Sequence, residues 1–132
     1  MKSLLLILTG LLVGALCALA AAKAVATRHA HERATMVVLA HHMDALRRIG
    51  DEAACAGEPV LERLQQIGFA AQELTFAFPD LDTPGSEFAR RRHDLQQAAD
   101  SAAADGIGSC QDLAQATGTL ARVCQECHRR YQ

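Results

Sequence analysis

Along residues 27–132 the apolar positions recur with the period of a helix and nowhere alternate like a strand. Met36, Leu39 and Ala40, Met43, Leu46, and Ile49 with Gly50 step by three and four, which predicts a first helix from about Thr27 or Arg28 to Gly50 with one face turned inward. Glu32, Asp44, Arg47 and Arg48 fall mostly outside that face. A second helix opens at Glu58-Pro59, where proline in the first turn lacks only an N–H that would have no partner anyway. Its stripe is Val60 and Leu61, Leu64, Ile67 and Gly68, Ala71, Leu74 and Phe78, and Pro79 stops it. After a turn-rich connector, Asp80 to Gly85, a third helix runs from about Thr83 or Ser86 to Ala104 on Phe88, Leu95, Ala98, Ala99 and Ala102. A fourth opens at Ser109, with Asp112 three residues on as in a capping box. It carries Leu113, Ala116, Thr117, Leu120, Val123, Cys124 and Cys127. Four amphipathic helices on short connections predict an all-α fold, an antiparallel up-down-up-down four-helix bundle.

Upstream of these helices the pattern changes. Lys2 precedes an apolar run from Leu4 to Ala22, and small residues follow, the layout of a secretory signal. Residues 1–26 are therefore expected to be a signal peptide, cleaved after Ala24-Val25-Ala26, and 27–132 the exported domain, placed in the periplasm. The other reading is a retained membrane anchor, the run being nearly long enough to span. The bulky Leu16 before Cys17 argues against a lipoprotein site. Removing residues 1–26 takes away both lysines and no acid, leaving eleven arginines against fifteen acids. A mildly acidic domain offers no basic surface for nucleic acid. No nucleophile elbow, Gly-rich phosphate loop or convincing carboxylate pair stands out, so an enzyme is not expected.

The chemistry is concentrated in the tail, Cys124-Gln125-Glu126-Cys127-His128. Cys-x-x-Cys-His is the covalent haem-attachment signature: two thiols one helical turn apart add across the two haem vinyl groups, and the adjacent imidazole ligates the iron. The same Cys pair could also be half of a zinc site or a redox dithiol. Zinc normally needs a second ligand pair, and no second CxxC, HxxxH or CxxH exists here. A redox CxxC usually opens a helix beside strands, which this chain lacks. The remaining mature cysteines, Cys55 in the loop after the first helix and Cys110 at the start of the fourth, fall at the same end of an up-down-up-down bundle, opposite the haem. An oxidising compartment favours a disulfide between them; the other reading is two buried thiols.

With these residues in view, the chain resembles the cytochrome c′ family over the whole of 27–132. The matching points are the tail motif with Tyr131 three residues after His128, Met36 early in the first helix with Met43 seven residues on, Phe78-Pro79-Asp80 closing the second helix, and Phe88 opening the third. The resemblance implies one covalent haem c on Cys124 and Cys127 with His128 as proximal iron ligand. By the family spacing Met36 falls at the distal position, as in the Met-ligated cytochrome c-556 type, which implies a six-coordinate carrier of single electrons with redox proteins as partners. Cytochromes c′ proper have an apolar residue there and five-coordinate iron that binds NO or CO; in that second reading Met36 only fills the core and lines the pocket. Dimerisation through helices one and two is common in the family, and by that analogy a homodimer is expected. Two positions depart from the family: Gln132 stands where Arg often follows the tail aromatic, and Glu32 where Arg often lies one turn before the distal residue. His29 is a minor alternative ligand, while His31, His41, His42 and His93 read as surface groups. The run Arg90-Arg91-Arg92 reads as a solvated face, or as a source of one partner for a haem propionate. Three function classes remain: electron carrier, gas-binding cytochrome, and haem-free exported helical protein.

Overall fold

The computed structural model describes residues 2–51 and 55–131, and among them it contains four α-helices and no strand: α1 (Lys2–Asp51), α2 (Glu58–Ala77), α3 (Glu87–Asp105) and α4 (Cys110–Tyr131). Local chemistry sets most of the boundaries. Gly57 takes φ 102°, the left-handed region that favours glycine, and its carbonyl accepts from Val60 and Leu61 as α2 begins. Phe78 closes α2 with its N–H on the Leu74 carbonyl at 2.9 Å, and Pro79 prevents a further turn. Ser86, and not Thr83, caps α3: its Oγ accepts from the Ala89 N–H at 3.0 Å and donates to the Leu81 carbonyl at 2.8 Å. At α4, Ser109 Oγ accepts from the Asp112 N–H at 3.2 Å and donates to the Asp112 carboxylate at 2.8 Å.

α1 differs from expectation. It does not begin near Thr27 but runs unbroken through the apolar leader, 50 residues in all. The stripe that starts at Met36 marks where a helix acquires a buried face, not where helix begins. Upstream, an Ala- and Leu-rich stretch without proline has no reason to leave the helical conformation. From Leu6 on, that stretch is exposed up to Thr27, and among the described residues it holds the one segment long and apolar enough to cross a membrane.

The core forms where each helix packs on its chain neighbours and α1 packs on α4. Leu46, Val60, Leu64, Ile67, Leu113 and Leu120 are fully enclosed, each side chain contributing about 1.5–3 kcal/mol. The α2–α3 approach is close: a Cβ at Gly68 would lie 2.8 Å from Asp100 Oδ1. Gly50 of α1 lies against Leu113 of α4. Two stripe positions are exposed after all. Ala40 faces solvent, while the buried side of α1 broadens to take in Thr35 and Ala45. Leu61 lines an open groove with Ala102, Ala103 and Ile107 between the start of α2 and the end of α3. Cys55 and Cys110 form a disulfide with 4.7 Å between their Cα atoms, joining the loop after α1 to the first residue of α4.

Candidate cofactor-attachment site

The tail cysteines lie in the last turns of α4, on the face that continues Leu113 and Leu120. Cys124 and Cys127 are both half-buried against the core, together with Val123, and both are free thiols. Three residues apart on a helix, they rise by about 4.5 Å. Burial pushes the Cys124 thiol up, the neighbouring Cys127 adds to this, and Arg47 opposes it. Burial likewise raises Cys127, against the Arg91 guanidinium. Thiols shifted this way are poor nucleophiles, the reverse of a redox dithiol, whose reactive thiolate is stabilised. His128, the next residue, is exposed.

The start of α3 holds these turns in place. Arg91 binds Glu126, inside the motif, at 2.6 Å, and reaches Glu87 at 3.8 Å. Arg130 reaches the other oxygen of Glu87 at 3.5 Å. Phe88 is buried, its ring centroid 5.5 Å from that of Phe78 and 5.3 Å edge-to-face from that of Tyr131, a geometry that suits aromatic quadrupoles. The arginine run is a solvated face only in part: Arg90 is exposed, while Arg91 and Arg92 are half-buried. Arg90 donates to the Gly85 carbonyl at 2.8 Å and Arg92 to Asp82 at 2.9 Å, while Arg91 ties α3 to α4. The tie from Arg91 to Glu126 spans 35 residues, and nothing local in the sequence marks it.

Met36 is half-buried and packs against the core from α1; Met43, two turns on, is buried. Near it Thr35 Oγ1 donates to the His31 carbonyl at 3.1 Å, and His29 pairs with Glu32 at 2.9 Å. His31, His41 and His93 are exposed. His42 departs from the surface reading: it is half-buried, with Nδ1 3.3 Å from Arg63 Nη1.

The residues present fit a covalently held haem. Two thiols one turn apart face an apolar core, an imidazole follows directly, and a thioether lies on the neighbouring helix. Thr117 Oγ1, seven residues before Cys124 on the same side of α4, is buried without a hydrogen-bond partner among the described residues. The donor set fits zinc less well, since no three His, Cys, Asp or Glu side chains converge among the described residues. No protein-family model, no curated protein and no solved structure matches the chain.

Proposed function

We propose that this chain is an exported c-type cytochrome that carries single electrons on one covalent haem c, in an antiparallel up-down-up-down bundle of the cytochrome c′ kind. One observation carries the reading: the two half-buried thiols of Cys124 and Cys127, one turn apart on the core side of α4, at a level that α1 can match with Met36. A Cβ at Gly50 would lie 3.8 Å from Leu113 Cδ2, so α1 and α4 are neighbours at these two positions. Fourteen residues separate Gly50 from Met36, and fourteen separate Leu113 from Cys127. If α1 and α4 run antiparallel, each span is about 21 Å and Met36 comes level with the attachment turn. The same sense of packing is supported between α3 and α4 by Glu87 with Arg130 and Arg91 with Glu126, and at the far end by the Cys55–Cys110 disulfide.

In this reading Cys124 and Cys127 would hold the haem through thioether bonds, and His128 and Met36 would supply the ligands to its iron. When bound, haem supplies a one-electron iron couple, whose potential a His/Met pair raises. The protein's own part is positional. The Arg91–Glu126 and Arg130–Glu87 pairs fix the motif turn against α3. The buried Phe88 cluster shields that side from water, and the disulfide anchors α4 at the opposite end. Residues 1–26 are read as the export signal and the periplasm as the destination, which the exposed apolar start of α1 supports. Val38, Phe69 and Phe76 stay exposed on α1 and α2, which supports a homodimer through that face; sedimentation of wild type against Phe69→Asp tests it, with loss of the dimer expected.

The visible spectrum of the exported protein tests the function. A sharp low-spin spectrum with a Met–iron charge-transfer band is expected. A high-spin spectrum that responds to carbon monoxide would transfer the protein to the five-coordinate, gas-binding class. Absence of a Soret band would leave a haem-free helical protein.

A further inference from the structure

The charges around the proposed haem end do not balance locally, although the domain as a whole is acidic. Most acids next to the site are engaged internally, and exposed Glu73, which shares a groove with Thr35, is the exception. Glu32 pairs with His29, Asp82 with Arg92, Glu126 with Arg91, and Glu87 with Arg91 and Arg130. Arg33, Arg122 and Arg129 are exposed and make no ion pair among the described residues. Each lies within three residues of a side chain assigned to the haem: Arg33 before Met36, Arg122 before Cys124, Arg129 after His128. At the disulfide end Asp51, Glu58, Asp105 and Asp112 are all exposed and outnumber exposed Arg48. Exposed arginines without an ion pair among the described residues therefore gather near the residues assigned to the haem, and exposed acids near the disulfide.

We infer that Arg33, Arg122 and Arg129 form the docking surface for an acidic redox protein, steering its electron-exchange face to the haem end; the inference rests on the cytochrome reading. Coulomb steering by a few uncompensated exposed charges raises encounter rates about tenfold or more at low salt and fades once the Debye length falls below the size of the patch. Truly net-charge-driven encounter would have the other sign, because eleven arginines face fifteen acids in residues 27–132. The two contributions therefore predict opposite salt dependences, which makes the patch testable without the natural partner.

The test oxidises the reduced holoprotein with ferricyanide, a trianion, over a range of ionic strength. One electron leaves the haem iron and reduces ferricyanide to ferrocyanide. A patch that steers gives a rate that falls as salt rises, while tris(phenanthroline)cobalt(III), a trication, shows no such fall. The triple variant Arg33→Glu/Arg122→Glu/Arg129→Glu should react at least about tenfold more slowly with ferricyanide at low salt and reverse the slope. The milder Arg→Gln triple variant, which keeps the helices intact, should flatten it. A wild-type rate that is flat or rises with salt overturns the inference. A second measurement needs no haem. Poly-L-glutamate should bind wild type at least about tenfold more tightly than either triple variant at low salt, and equal binding overturns the inference. A chain that emerges without haem sinks the cytochrome reading, and the polyglutamate titration then decides the patch by itself.

Discussion

Met36 and His42 are both helix-stripe neighbours in α1, but they are constrained in different ways. Met36 presents a thioether on a half-buried face, and on the reading proposed here Met36→Ala removes the distal ligand. The iron should shift towards high spin and its potential should drop, within the roughly 0.8 V range that axial ligands command. Identical spectra and potentials for wild type and variant would remove Met36 from the ligand set. His42 is held below its ordinary pKa of 6.5, first by burial and then by the Arg63 and His41 charges, with Glu62 opposing. The unfolded chain therefore takes up a proton there before the folded chain does. Stability tied to neutral His42 is complete above about pH 6.5 and is lost as pH falls through that value towards the depressed folded pKa. Urea titrations at pH 7.5 and pH 5.0 should show wild type losing more stability than His42→Gln over that interval, and equal losses would contradict the assignment. At this scale the sequence exposes what is local. Cys124, Cys127 and His128 can be read directly because attachment chemistry demands a fixed spacing. Arg91, Glu87 and Glu126 cannot, because their bonds join residues brought together only by α3 packing on α4.

Caps and crosslinks carry the element-scale predictions. Ser86→Ala deletes the acceptor for the Ala89 N–H and should lower stability by about 1 kcal/mol, measured by denaturant unfolding; a loss below a few tenths would show the cap to be replaceable. Reduction of Cys55–Cys110, or Cys55→Ser with Cys110→Ser, releases a loop closed over a separation of 55 residues. The chain-entropy expectation is a loss of up to about 4 kcal/mol, with the haem spectrum unchanged because the bond lies at the opposite end from the attachment turn. A changed spectrum on reduction would place the disulfide close to the haem instead. Helix limits were legible where a residue type forces them, at Pro79 after α2 and at Ser86 before α3. The start of α1 was not, because hydrophobic periodicity reports burial and the leader is helical without being buried. For the same reason Leu61 and Ala40 were assigned to a face that ends one side chain sooner.

For the whole molecule, the all-helical class and the four-helix count followed from period and turn chemistry in 27–132. What the sequence could not convey was how the two ends differ in charge, since that depends on which acids the arginines capture on folding. Covalent haem attachment at the end of α4 is tested by expressing the full chain with its leader in a host that matures c-type cytochromes, then following haem absorbance through denaturing gel electrophoresis. A haem-stained band that survives denaturation and disappears in Cys124→Ser/Cys127→Ser is expected. An exported wild-type chain that carries no haem through the gel, with thiols at positions 124 and 127 that alkylate fully, would contradict it.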